Sequence, residues 1–255
     1  MPTPTADTRM TEAGCDRAAA ADAMPRWLPS LLQLASPVLP TGAFSYSQGL
    51  EAACAHGWVV SEADALGWIE AQWRQSFAPR EGATLDAACA VLGLDAAGVA
   101  PVPATASARE RLLERLVPLD DDFLASREAA QLQAETLQVG AALARWTAGV
   151  HPGSAWQPLV RHRPWSAPVA FALCAAIEAM PPTAARIAWG WAWLENQVQA
   201  AVRLVPLGQS AGQRLLVALR PRLTDALPDE AWSFAPRAAI AAMRHERQYS
   251  RLFRS

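Results

Sequence analysis

The stretch DDDFLASREAAQLQAETLQVGAALARWTA, running from Asp120 to Ala148, carries the strongest periodic signal in this chain. Leu124, Leu132, Val139, Leu143 and Trp146 recur on one side of a 3.6-residue period, while Glu128, Gln131, Glu135 and Gln138 fall on another. Asp120, Asp121 and Asp122 suit a helix N-terminus, where the macrodipole favours negative charge. Gly149 ends the pattern. The spacing predicts one continuous amphipathic helix over 120–148.

The flanking segments repeat that habit. Leu66, Ile69, Trp73 and Phe77 recur every three or four residues, and Ser61 with Asp64 is placed to cap their helix. Helical spacing also covers 84–92, a short charged stretch 108–116, and 166–180, 183–205, 208–219 and 236–247. Residues 93–107 hold Gly93, Gly98, Pro101 and Pro103 and read as a loop or insertion. His151 to Pro164 reads as a proline-broken connection. Trp189-Gly-Trp191-Ala-Trp193 alternates like a strand, but the apolar run around it is too long for one. The expected fold class is all-α: a single helical-bundle-like domain of eight to ten helices over 27–255. Residues 1–26, rich in Ala, Thr, Asp and Pro without periodicity, are expected to form a disordered tail.

Composition excludes several functions. The chain has 255 residues, 52% of them hydrophobic, and a net charge of −2, which gives no long-range pull toward nucleic acid or anionic membrane. All 22 basic residues are arginine. Without lysine there is no Walker A motif, no Schiff base and no pyridoxal-phosphate attachment. Cys15, Cys54, Cys89 and Cys174 form no C-x-x-C pair and suit the reduced thiols of a cytoplasmic protein. No basic region followed by an apolar run opens the chain, and the longest apolar run, Val169 to Met180, is too short to span a bilayer and contains Glu178. His56, His151, His162 and His245 show no i, i+3 or i, i+4 pairing. Cys54-Ala55-His56 offers two ligands, which alone make no metal site. G-x-S-x-G and H-E-x-x-H are both absent.

Three segments are candidate functional sites. In Ser36–Glu51, Pro37 and Pro40 bar a helix, Gly42 permits a turn, and Ser45 with Gln48 fits a capping box. Tyr46, Leu50, Ala53 and Cys54 then share one face, and Ser47 and Glu51 another. That pattern fits a well-specified helix start, or a helix start that also presents Ser47 and Glu51 to a partner. In 183–205, Glu195, Gln199 and Arg203 line up at i, i+4, i+8 with Asn196 and Gln197 beside them. They fit a lined groove or a solvated stripe. The closing Tyr249-Ser-Arg251-Leu252-Phe-Arg254-Ser255 carries aromatic and arginine anchors of the kind that dominate interfaces. It fits a docking tail over 248–255, or a tail folded back on its own helices.

Four blocks, in order, resemble the urease accessory protein UreF family: LLQLASPVLPTGAFSYSQGLEAACAHGW from Leu31 to Trp58, Asp122 to Glu135 with its Ala-Ser-Arg-Glu run at 125–128, WLENQVQAAVRLVPLGQ from Trp193 to Gln209, and the closing YSRLFRS. Arg203 stands where the family pattern has lysine, and 93–107 is richer in Pro and Gly than the family pattern. The resemblance implies an all-α, dimeric, non-enzymatic protein that helps load nickel into urease. It implies bridging of UreD (also called UreH) to the GTPase UreG, acting on urease apoprotein, with nickel and GTP handled by those partners and no cofactor bound directly. It implies partner-binding roles for Ser47, Gln48, Glu51, Arg127, Glu128, Glu195, Gln197, Arg203, Tyr249, Arg251, Leu252 and Arg254. The tail is expected to contact UreD; the other anchors face UreG or line a water-filled nickel route. The rival reading is an all-α small-molecule enzyme with a Trp-lined pocket and Glu51 or Glu195 as general base.

Overall fold

The computed structural model describes residues 24–228 and 231–254. Residues 1–23, which carry Cys15 and most of the expected disordered tail, lie outside the described residues, as does Ser255. The described chain is all-α: α1 (Leu28–Leu34), α2 (Leu50–Ala55), α3 (Glu62–Gln72), α4 (Ala83–Leu92), α5 (Ala106–Ala125), α6 (Ala130–Val150), α7 (Gln157–Val160), α8 (Ala167–Ile177), α9 (Pro182–Leu204), α10 (Gln209–Leu219) and α11 (Pro236–His245). The cap at α3 forms as its sequence predicts. Ser61 Oγ accepts from the Asp64 amide at 3.2 Å, and Asp64 accepts from the Ser61 hydroxyl and the Val60 amide.

The helix expected over 120–148 is two helices. Helix α5 runs through Pro118 to Ala125, and α6 begins at Ala130 after Ala129 turns extended. The aspartates therefore sit in the last two turns of α5, toward the end where the dipole disfavours them. Cations from elsewhere offset that cost. Arg163 reaches Asp121 at 2.8 Å and Asp120 at 3.6 Å, and Arg80 reaches Asp122 at 2.8 Å. Arg80 also donates to Ser126 Oγ, whose hydroxyl returns to the Phe123 carbonyl. These side-chain bonds compete with the helical ladder and stop it. The short helix expected at 108–116 is the opening of this same α5.

Among the described residues, two large apolar clusters make most of the core. The first surrounds α8, in which every residue from Ala167 to Ala176 is buried, as expected of a helix apolar on all sides. Gly140 on α6 lets that region close: a Cβ there would lie 2.0 Å from the Trp165 carbonyl oxygen. The second cluster joins α2, α3, α10, α11 and Phe253. Helix α9 threads both, giving Ala184, Ala185 and Ala188 to the first and Trp193, Leu194, Val198 and Ala201 to the second. Between α3 and α4 a ten-residue π-helical segment, Trp73–Gly82, buries Arg80 and Glu81. Burial pushes the Cys89 and Cys174 thiols up to about 12 and, with Glu51 nearby, Cys54 up to about 11, so all three are poor nucleophiles.

Candidate functional site

The Ser36–Glu51 segment is a folded loop, and its capping box does not form. Gly42, at φ +73, opens a 3-10 turn over Ala43–Ser45. Gln48 and Gly49 then take φ +50 and +85, two left-handed residues in succession, so α2 starts only at Leu50. Gly49 is doubly required: beyond its φ, a Cβ would meet the α11 backbone at 3.0 Å (Ala242 N) and 3.1 Å (Ala238 O). Freed from capping, Gln48 bridges two helices. Its Nε2 donates to Glu135 Oε1 at 2.8 Å, and its Oε1 accepts from Trp193 Nε1 at 2.8 Å. Ser47 Oγ accepts from the Glu51 amide at 3.3 Å.

Glu51 is not a surface anchor. It is only 6% exposed, and both its oxygens are engaged by the C-terminal segment. Oε1 accepts from the Leu252 amide at 2.7 Å, and Oε2 accepts from the Phe253 amide at 2.9 Å and faces His245 Nε2 at 3.0 Å. Phe253 is buried in the second cluster, and the Arg254 amide donates to the Ser45 carbonyl at 2.7 Å. Helix α2 and the C-terminal segment thus meet at one carboxylate, that of Glu51. A carboxylate accepting several charge-assisted bonds has little capacity left as a general base. The tail folds back on its own helices, yet Tyr249, Arg251, Leu252 and Arg254 remain exposed.

Arg127 is also buried. Its Nη1 lies 3.2 Å from Glu81 Oε1, with each side chain under 10% exposed. Burial raises the Glu81 pKa, and the Arg127 charge pulls it back only in part. This ion pair, Gln48 and Glu135 border a cavity whose other wall carries Trp189, Trp193 and Glu195. Burial raises the Glu195 pKa as well, opposed by a hydrogen bond from Trp191. The cavity volume is about 80 Å³. Small-molecule sites occupy roughly 300–1,000 Å³, so this space suits a few waters rather than an organic substrate.

The remaining expected anchors are dispersed. Glu128 is exposed, with Ser233 Oγ at 3.5 Å. Gln197 is wholly buried and faces no partner surface. Arg203 is exposed in the last turn of α9, on a groove shared with Glu195, Gln199 and α10. Gln48, Arg127 and Glu195 therefore share one cavity, Ser47 and Glu51 belong to the tail junction, and Arg203 meets Glu195 only along the separate surface groove. Glu81, Glu135, Gln138 and His245 were not singled out as site residues by sequence. Their partners lie 46 to 194 residues away, and only His245, just before the closing block, carried a positional hint. Among the described residues, no group of three or more His, Cys, Asp or Glu side chains is placed to hold a metal ion. No helix of the described residues is long and apolar enough to cross a membrane.

Fold and site together define an all-α protein whose buried polar groups hold one loop and one tail against a common body. Comparison with known proteins narrows this class. The UreF family profile matches residues 59–220. A urease accessory protein UreF of Azoarcus sp. (strain BH72) is 47% identical over 241 residues, covering 88% of this chain and 94% of that protein. A urease accessory protein UreF of Dechloromonas aromatica (strain RCB) is 41% identical over 238 residues, covering 89% and 97%. The chain belongs to the UreF family of urease accessory proteins.

Proposed function

We propose that this chain is a non-enzymatic scaffold of urease maturation. It acts in the cytoplasm as a homodimer, bridges UreD (UreH) to the GTPase UreG, and modulates GTP-dependent nickel delivery to urease apoprotein. Nickel and GTP are handled by the partners, and this chain binds no cofactor itself. The observation that carries the reading is the tail: its backbone is fastened at Glu51 while Tyr249, Arg251, Leu252 and Arg254 point outward. Fastening a docking segment in advance lowers the ordering cost of binding. Exposed Tyr and Arg are the side chains that most often anchor interfaces.

The absence of lysine throughout the sequence supports leaving nucleotide chemistry to a partner. The small-molecule reading has one point in its favour, the raised pKa of Glu195, and meets a cavity too small for a substrate. Size-exclusion chromatography with light scattering, on the chain alone and with its UreD and UreG homologues, tests the proposal. A dimer that enlarges to a stable complex is expected. A chain that stays unchanged with either partner would sink it. Deleting 249–255 is expected to abolish co-purification with the UreD homologue.

A further inference from the structure

A second feature of the tail end points to the chemistry of a partner. The Pro40–Gly42 turn, α6 and Arg254 enclose an open cleft of about 310 Å³. Arg145 and Arg254 both line it, and among the described residues no Asp or Glu does. Neither arginine takes part in an ion pair among the described residues. Among the described residues, Arg254 Nη1 donates to Gln138 Oε1 alone, at 3.4 Å. Gln138 Oε1 also accepts the Tyr46 hydroxyl, which leaves the amide hydrogens of Gln138 to be satisfied. Thr41 Oγ1 accepts from the Ala43 amide at 3.4 Å, which leaves its hydroxyl hydrogen free to donate. Two guanidinium forks, one primary amide and one hydroxyl thus converge as donors from three separate parts of the chain.

A site composed of donors selects a group that only accepts, and a carboxylate matches the planar fork of arginine in two parallel bonds. We propose that this cleft receives an Asp or Glu side chain of a docked protein. Openness decides between a docked side chain and a free ion. Both arginines are exposed, and exposed ion pairs are too weak to hold a small anion alone. A protein surface laid over the cleft removes water from the pairs and strengthens them. The cleft also adjoins the fastened tail, so one partner can contact both. This inference rests on the scaffold reading, and the test separates the two.

The experiment measures affinity of the full chain for its purified UreD and UreG homologues, using wild type, Arg145→Glu and Arg145→Lys, with circular dichroism as the check on folding. Wild-type binding to a partner is the arm that tests the scaffold reading by itself. Arg145→Glu is expected to weaken one partner by about tenfold or more, and Arg145→Lys by less, because charge is kept and the fork is lost. An Asp or Glu to Arg change on that partner is expected to restore binding to Arg145→Glu. If wild type binds and Arg145→Glu binds equally well, the carboxylate receptor is overturned and the scaffold stands. If wild type binds neither partner, both fall. Titration with sodium acetate and with inorganic phosphate is the free-ion arm. Saturable submillimolar binding that Arg145→Glu abolishes, with partner affinity unchanged, would also overturn the proposal.

Discussion

Glu51 and Arg203 carry similar signals in sequence, a charged residue on a helix amid apolar neighbours, yet they end in opposite surroundings. Glu51 is buried where α2 meets the C-terminal segment, and backbone amides from the tail close on both oxygens. Arg203 is exposed on the last turn of α9, where a cation suits the helix dipole and needs no partner. At these two positions the buried charge organises its own chain, and the exposed one faces solvent. Arg127 belongs with Glu51 on the first side of that division, and Glu195 stands between the two sides.

The sharpest way to break this contrast is Arg127→Met. It strands Glu81 as an unpaired buried carboxylate, and unfolding in urea is expected to show a loss of roughly 3–5 kcal/mol. The Glu81 pKa is raised in the folded state, so its contribution is fully present below the ordinary carboxylate range and is lost as pH rises through the raised value. The deficit of Arg127→Met should therefore shrink on acidification from neutral pH, which urea midpoints measured across pH would read. Next in size, Glu51→Ala leaves the Leu252 and Phe253 amides without acceptors, a cost of roughly 2–3 kcal/mol. Hydrogen exchange should quicken at 252–254 ahead of α8, and Glu51→Gln should lie between. Uniform exchange in Glu51→Ala would mean that the carboxylate does not hold the tail. Glu195→Gln is expected to stabilise slightly at neutral pH, by less than about 1 kcal/mol after solvent screening, because the burial cost of the charge disappears. Thermal melts at pH 5 and pH 8 should differ less in that variant than in wild type. Smallest of all, Arg203→Ala should change stability by no more than about 0.5 kcal/mol. A larger loss would place Arg203 among the organising residues after all.

Local pattern made the helices legible. Ser61 with Asp64 was readable as a cap because both partners lie within one turn, and α8, α9 and α10 followed from unbroken apolar spacing. The same reasoning ran 120–148 into one helix, because the groups that interrupt it, Arg80 and Arg163, come from far along the chain. It also assigned Gln48 to a cap, where the fold gives that side chain Glu135 and Trp193. At the tail, sequence left docking and folding back as alternatives; in the structure the backbone folds back on its own helices, and four side chains of the segment stay exposed.

By itself the sequence determined the all-α class, the lack of any lysine-based chemistry, and the four ordered blocks that place the chain among UreF proteins. Tertiary structure alone decided which charges are interior. Helical period says which residues share a face, because that follows from backbone geometry within a few turns. Whether that face meets water, a carboxylate or the end of the same chain depends on elements up to about two hundred residues away, as the bond from Phe253 to Glu51 shows.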